Sequence, residues 1–208
     1  MIPIVGFQPF TTIDYPGALS CVMFTQGCPW RCRYCHNSEL QPFKKAEVSG
    51  KWEELMNFLK SRQGLLDAVV VSGGEPTAHL QLPQALAQFK KMGFKVGLHT
   101  AGIYPERFAE ALPFLDWVGF DFKAPLDQRY NRVTQIKNSH EAAAKSLDYL
   151  LASGVPAEFR CTWHPLLLKE SDLEDMRGYL KGRGVTTPLV IQNFRTAGCV
   201  DSELTQSA

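Results

Sequence analysis

The chain has 208 residues, of which 45% are hydrophobic and 21% are charged. This composition is ordinary for a folded globular protein and excludes an intrinsically disordered one. Its 22 Lys and Arg nearly balance 21 Asp and Glu, for a net charge of +1. No basic excess therefore favours general binding to nucleic acid or to a membrane surface. We expect one domain over residues 1–208.

The N-terminal segment has no basic region followed by a long apolar run, so it does not resemble a signal peptide. No apolar stretch reaches the roughly 18 residues that a transmembrane helix needs. We therefore expect a cytoplasmic protein, in which thiols are kept reduced. The six cysteines are then not expected to form a disulfide framework.

Short apolar segments typical of buried strands recur along the chain, and most are separated by amphipathic helices. The strands are predicted over residues 19–24, 68–71, 95–100, 117–122, 157–162 and 188–193. Helices are predicted around residues 52–59, 82–89, 105–112 and 143–151, and a last one where Ser171 and Glu174 match a capping box.

This alternation indicates a parallel sheet with right-handed crossover connections. Six strand–helix units are too few for the usual eight-stranded barrel, so an open partial barrel and a doubly wound sheet both fit. Polar residues gather where the predicted strands end, which is where parallel α/β folds bind ligands. They are Cys28, Gly73, Gly74, Glu75, His99, Asp121, Lys123 and Arg160.

Cys28, Cys32 and Cys35 place three thiols within eight residues, so one loop could wrap them around one metal centre. A structural zinc site would need a fourth ligand, and His36 is too close to Cys35 for easy tetrahedral chelation. Residues 32–36 also match the C-x-x-C-H pattern of c-type haem attachment, which requires export and leaves Cys28 unused. Chance clustering of structural thiols is a further alternative.

The remaining interpretation is an iron–sulfur cluster, in which three local cysteines leave one iron open to substrate or cofactor. The other cysteines are scattered along the chain: Cys21, Cys161 and Cys199. Cys21 lies in the first predicted strand and fits a small buried apolar residue.

The C-x3-C-x2-C loop, with Tyr34 just before its last cysteine, resembles the signature of the radical S-adenosylmethionine (SAM) enzymes. Residues 72–76, Ser-Gly-Gly-Glu-Pro, resemble the second signature of the same family, in the same order and at an agreeing spacing. More closely, residues 14–17, 24–28 and 34–37 resemble the glycyl-radical-enzyme activases, most of all those of anaerobic ribonucleotide reductase. The resemblance extends through residues 121–123 and implies a partial (β/α)6 barrel with a mostly parallel six-stranded sheet.

By this resemblance, the three clustered cysteines hold a [4Fe-4S] cluster whose open iron takes SAM, and Lys123 is counted with them as catalytic. Tyr34 would lie against the adenine. The methionine amino group would meet Gly73, Gly74 and Glu75, with Glu75 accepting a charge-assisted hydrogen bond. Lys123 and Arg160 would lie near the SAM carboxylate and ribose.

One segment departs from the pattern of pyruvate formate-lyase activases, which have Asp-Thr-Asn-Gly where this chain has His99-Thr100-Ala101-Gly102. In those relatives the first Asp and an Asp matching Asp121 hold a monovalent cation beside SAM. Imidazole is a poor ligand for such a cation, so His99 is expected to contact SAM, or Asp121 and backbone oxygens hold the cation. A buried structural role for His99 is also open.

The resemblance implies reductive cleavage of SAM to a 5′-deoxyadenosyl radical, which installs a glycyl radical on a partner enzyme, anaerobic ribonucleotide reductase. Flavodoxin or ferredoxin would supply the electrons. The alternatives are a small-molecule radical SAM enzyme, such as the 7-carboxy-7-deazaguanine synthase group, and an activase of the pyruvate formate-lyase type. A non-catalytic zinc module or electron carrier is the alternative from another class.

Overall fold

The fold is built on a seven-stranded sheet, seen here in a computed structural model that describes residues 2–43 and 48–207. The strands are β1 (Ile4–Thr11), β2 (Ser20–Thr25), β3 (Ala68–Gly73), β4 (Lys95–Thr100), β5 (Trp117–Asp121), β6 (Ala157–Trp163) and β7 (Val190–Asn193). The first two strands are antiparallel, and every later neighbouring pair is parallel.

All six predicted strands are present, and the mostly parallel sheet is confirmed. The predicted count of six was wrong by one, because β1 adds an antiparallel strand at the edge. Its sequence contains Gly6 and Pro9, which weaken the strand signal. An edge strand tolerates proline because one side of its backbone needs no hydrogen-bonding neighbour.

The order of the strands distinguishes the two architectures that the sequence left open. The strands lie side by side in chain order, from β1 to β7, without a reversal. A doubly wound sheet reverses its strand order at a switch point, so the partial barrel is the correct interpretation. Among the described residues β1 and β7 do not pair with each other, and the barrel is therefore open along one side.

The helices are α1 (Val48–Lys60), α2 (Leu82–Lys91), α3 (Pro105–Ala111), α4 (Gln128–Thr134), α5 (Ser139–Ser153), α6 (Glu170–Gly182) and α7 (Ser202–Gln206). The five predicted helices are present, whereas α4 and α7 were not predicted. Within the described ranges, none of the helices has the length and apolar character needed to cross a membrane.

The predicted capping box at the start of α6 was wrong in its residues. The helix begins at Glu170, so Ser171 lies inside its first turn. The backbone N–H of Lys169 donates to the carboxylate of Asp172 at 2.8 Å. An acidic side chain three residues after the cap therefore does stabilise the start, but it is Asp172 and not Glu174.

One end of the barrel is closed by a small group of apolar side chains on its inner face. Tyr15, from the β1–β2 connection, packs against Trp117 with 5.6 Å between the ring centroids, and Val22 and Val70 complete the layer. A Cβ atom at Gly97 would lie 3.1 Å from the Tyr15 ring. The absence of a side chain there gives the two aromatic rings their space.

We predict that Gly97→Val lowers the free energy of unfolding by about 1–3 kcal/mol, because the added atoms overpack this layer. The measurement is urea unfolding followed by circular dichroism. Gly6→Val in β1 is the matched control, since a Cβ there meets no atom within 4 Å. Equal stability of the two variants would contradict the packing described here.

Candidate functional site

A cavity of about 690 Å³ opens at the carboxyl ends of the parallel strands. It is lined by every residue that the sequence analysis placed in the site. These are Cys28, Cys32, Tyr34, Cys35, Gly73, Gly74, Glu75, His99, Asp121, Lys123 and Arg160. The strand-end rule therefore brought together residues that lie up to 132 positions apart in the chain.

The cysteine loop, residues 28–35, is held by backbone hydrogen bonds on two sides. At its start, the N–H of Cys28 donates to the carbonyl of Gln41 at 2.9 Å. In its middle, the N–H groups of Arg31 and Arg33 donate to the carbonyls of Thr134 and Val133, both at 3.0 Å. These carbonyls end helix α4 and have no partner within the helix, so α4 supports the loop that carries the thiols.

All three thiols of the loop are free and line the cavity. Burial raises the pKa of Cys28 to about 12 and that of Cys32 to about 11, so a metal centre that binds them must displace their protons. Within the described ranges, no three His, Cys, Asp or Glu side chains converge where a single metal ion could be held. A cubane binds each cysteine through a different iron, so three free thiols that line one cavity fit such a cluster.

The Gly73–Gly74 pair is required by the backbone of the neighbouring strand. Gly73 has φ +113°, and a Cβ there would lie 2.3 Å from the nitrogen of Thr25. A Cβ at Gly74 would lie 2.4 Å from the carbonyl oxygen of Gly27. The two glycines therefore let the end of β3 contact the entry to the cysteine loop, a role that the sequence analysis did not predict.

Glu75 is 2% exposed and accepts four hydrogen bonds. Its Oε1 accepts from the N–H and hydroxyl of Thr77, at 3.0 and 2.7 Å, and from the hydroxyl of Thr100 at 2.6 Å. Its Oε2 accepts from the N–H of Ala101 at 3.0 Å. Burial raises the pKa of Glu75 although these hydrogen bonds oppose the rise. The side chain therefore joins the ends of β3 and β4, a role that the sequence analysis missed.

Two cations and one carboxylate form the polar wall of the cavity. Asp121 accepts a hydrogen bond from Arg160 at 2.9 Å and lies 3.6 Å from the Lys123 ammonium. Burial alone would raise the pKa of Asp121, but Arg160 and Lys123 lower it below its usual value. Arg160 Nε is buried and has no partner among the described residues. This wall therefore carries an excess positive charge that suits a ligand carboxylate.

Tyr34 lies beside this wall and is 6% exposed. Its hydroxyl oxygen is 3.5 Å from the ammonium nitrogen of Lys123, which also lies 5.4 Å from the centroid of the tyrosine ring. The aromatic residue of the cysteine loop is thus held against a buried cation.

His99 contacts the connection between β1 and β2. Its Nε2 lies 3.0 Å from the carbonyl oxygen of Asp14. Burial, together with the nearby Arg160, lowers the pKa of His99 to about 4. The imidazole is therefore neutral at pH 7, and Nε2 carries the proton donated to Asp14. The structural role that the sequence analysis left open for His99 is present, and the side chain also faces the cavity.

Further polar residues of the cavity were missed by the sequence analysis. Four of them follow the same rule, because they lie at or just after the carboxyl ends of the last two strands: Thr162, Gln192, Asn193 and Arg195. Glu158 departs from it, since it lies near the start of β6. Of the scattered cysteines, Cys21 and Cys161 are buried and lie away from the cavity lining. Cys199 instead contacts the cysteine loop, where its thiol donates to the carbonyl of Arg33 at 3.3 Å.

We predict that Glu75→Ala lowers the free energy of unfolding by about 1–3 kcal/mol, because the buried N–H groups of Thr77 and Ala101 lose their acceptor. Urea unfolding of the metal-free protein measures this effect without any cofactor. Glu75→Gln, which keeps an acceptor oxygen, should lose less stability than Glu75→Ala. Glu110→Ala is the control, because Glu110 is an exposed residue of α3, and this variant should unfold like the parent protein. Equal behaviour of Glu75→Ala and this control would disprove the role of Glu75.

Comparison with known proteins identifies relatives of this chain. Residues 22–181 match the family model of the radical SAM superfamily. A Methanocaldococcus jannaschii protein named as a glycyl-radical enzyme activating enzyme is 30% identical over 207 residues, which cover 96% of this chain and 83% of that protein. The pyruvate formate-lyase-activating enzyme of Staphylococcus aureus is 31% identical over 143 residues, 62% of this chain and 56% of that enzyme.

Solved structures support the fold. Streptococcus suis SuiB bound to S-adenosylmethionine gives a TM-score of 0.64 at 13% identity, over 82% of this chain and 39% of SuiB. The family match covers most of the chain, and the M. jannaschii relative matches it nearly end to end. This chain therefore belongs to the radical SAM superfamily, whose enzymes use a [4Fe-4S] cluster and SAM.

Proposed function

We propose that this protein is a glycyl-radical-enzyme activase whose partner is an anaerobic ribonucleotide reductase. One observation carries the proposal: the thiols, the glycine pair and the cationic wall line a single cavity at the carboxyl ends of the strands. The relatives named for glycyl-radical activation support the reaction class. The segments around Asp14 and Tyr34, which resemble ribonucleotide reductase activases, support the choice of partner.

In this proposal Cys28, Cys32 and Cys35 hold the [4Fe-4S] cluster. The cluster and SAM, when bound, supply a 5′-deoxyadenosyl radical that abstracts a hydrogen atom from the substrate. Lys123 and Arg160 bind and orient the carboxylate and ribose of SAM, since both are cations at the cavity wall. Asp121 pairs with both cations and so holds them in place at the cavity wall.

The remaining residues shape the cavity. Tyr34 offers an aromatic face for the adenine, and its contact with Lys123 fixes the ring. The backbone of Gly73 and Gly74 meets the methionine end of SAM, and Glu75 orients this segment through its hydrogen bonds to β4. His99 forms a neutral part of the wall beside Arg160. Exclusion of water from such a cavity protects a reactive radical.

The open side of the barrel supports a polypeptide substrate. The edge strands β1 and β7 leave a lateral mouth, and the exposed side chains of Gln192 and Asn193 line the cavity at this edge. A loop of the partner that carries the radical glycine could enter here after leaving its own fold, so binding would be coupled to a local opening of the partner. A flavodoxin or ferredoxin would supply the electron.

We predict that Cys32→Ala prevents assembly of the cluster, because one iron loses its thiolate ligand. After anaerobic reconstitution, the content should fall from about four irons per chain to well below that value. Cys21→Ala is the control, since Cys21 is also a free cysteine but is fully buried outside the cavity lining. A full cluster in Cys32→Ala would overturn the assignment of the ligands.

We predict that the reduced protein with SAM generates a glycyl radical on an anaerobic ribonucleotide reductase. The radical is recorded as a doublet in the electron paramagnetic resonance spectrum under anaerobic conditions. The signal should disappear when the radical glycine of the reductase is changed to alanine, and when SAM is omitted. Pyruvate formate-lyase is tested in parallel. A glycyl radical signal with pyruvate formate-lyase and none with the reductase would identify pyruvate formate-lyase as the partner and contradict the proposal. Turnover of a small molecule with no glycyl signal on either enzyme would favour the small-molecule alternative.

A further inference from the structure

The C-terminal segment, residues 198–206, lies against the cysteine loop. The guanidinium of Arg33 forms two hydrogen bonds to the carboxylate of Asp201, at 2.6 and 3.1 Å, and a third to Glu203 at 2.6 Å. Arg33 lies between two of the cavity cysteines in the chain. The side chain of Arg33 therefore ties the loop to residues 168 to 170 positions away.

Backbone contacts extend this interface beyond the ion pairs. The hydroxyl of Ser38 donates to the carbonyl of Gly198 at 3.0 Å, and the thiol of Cys199 donates to the carbonyl of Arg33 at 3.3 Å. Gly198 has φ +77°, and a Cβ there would lie 2.0 Å from the carbonyl oxygen of His36. Only glycine allows the two backbones to approach this closely.

The C-terminal segment is itself well anchored. Asp201 caps helix α7 by accepting from the N–H of Leu204 at 3.1 Å, and the Leu204 side chain is fully buried. The hydrogen bonds from Arg33 lower the pKa of Asp201 below its usual value. The side chains of Arg33 and Asp201 are only 25% and 18% exposed, and a bidentate pair with this burial is stronger than a surface ion pair.

Arg33 is thus held at three points. Its N–H donates to the end of α4, its carbonyl accepts from Cys199, and its guanidinium binds Asp201 and Glu203. The residues that follow, Tyr34 to His36, line the cavity. Because Tyr34 is the next residue, a shift of the Arg33 backbone moves the tyrosine ring relative to Lys123.

We propose that Arg33 and the C-terminal segment form a positioning device, which holds the second half of the cysteine loop in the position in which it contacts SAM. This inference rests on the proposed function of the loop as the holder of the cluster. Arg33 acts through Tyr34 and Cys35, and it is a positioning residue and not a catalytic one.

The test compares Arg33→Ala with Arg183→Ala. Arg183 also pairs with an aspartate, Asp148, but on the outer helices and away from the cavity. Both variants should retain iron after reconstitution. In Arg33→Ala the dissociation constant of SAM should rise about three- to tenfold. A change of this size corresponds to only a part of the energy of a charge-assisted bidentate pair. The change that SAM causes in the electron paramagnetic resonance spectrum of the reduced cluster should also decrease, whereas Arg183→Ala should behave like the parent.

A double-variant cycle tests whether Arg33 and Asp201 act together. Asp201→Asn should also raise the dissociation constant of SAM. In the double variant, which carries Arg33→Ala and Asp201→Asn, the dissociation constant should rise no more than in the more strongly affected single variant. Additive effects, or unchanged SAM affinity and spectrum in Arg33→Ala, would overturn the proposal. If Arg33→Ala does not retain iron, the SAM affinity of Asp201→Asn tests the proposal instead, because this variant weakens the same ion pair.

A third measurement separates this proposal from the proposed function. Amide hydrogen exchange of the metal-free protein should become faster in residues 31–38 of Arg33→Ala, with no change in α2 or β4. If the parent protein binds no cluster but exchange in residues 31–38 is faster in Arg33→Ala, the proposed function is wrong, whereas the contact between Arg33 and the C-terminal segment is confirmed. If the parent is active and exchange in the loop is unchanged, the positioning device is wrong.

Discussion

The site depends on the close approach of two backbones at the ends of β2 and β3. The N–H of Gly74 donates to the carbonyl of Thr25, and the N–H of Glu75 donates to that of Gly27, both at 2.9 Å. These bonds extend the pairing of the two strands to Gly27, the residue just before the cysteine loop. A side chain at Gly74 would occupy the position of the Gly27 carbonyl. The two sequence signatures of the family are thus one structural unit, in which the second holds the first.

The polar groups around this unit are buried but compensated. Glu75 receives four hydrogen bonds, and the carboxylate of Asp121 is balanced by Arg160 and Lys123. Unpaired, such groups would each cost several kcal/mol to bury. Because the cations outnumber the carboxylate in the Asp121 group, its net charge favours an anionic group of a ligand.

The sequence predicted six of the seven strands and a site of eleven residues, because both follow from local patterns. Buried parallel strands are continuous apolar runs, and polar residues at their carboxyl ends converge. The sequence did not predict helix α4, since Tyr130 and Val133 give too short an apolar stripe and its Asn and Thr are weak helix formers. The contact between Gly74 and Gly27 also escaped prediction, because it depends on how two distant segments meet. The pairing of Arg33 with Asp201 has no local signal at all.

The order of the strands has a consequence for how the protein matures. Each new strand pairs with the one made before it, so the sheet can grow from β1 to β7 with mostly short-range closures. The cysteine loop is made early, but Asp201 is synthesised 168 residues after Arg33, and this long closure carries the larger entropic cost. During synthesis on the ribosome, the cysteine loop therefore lacks the contacts of Arg33 with Asp201 and Glu203 until the C-terminal segment has been made.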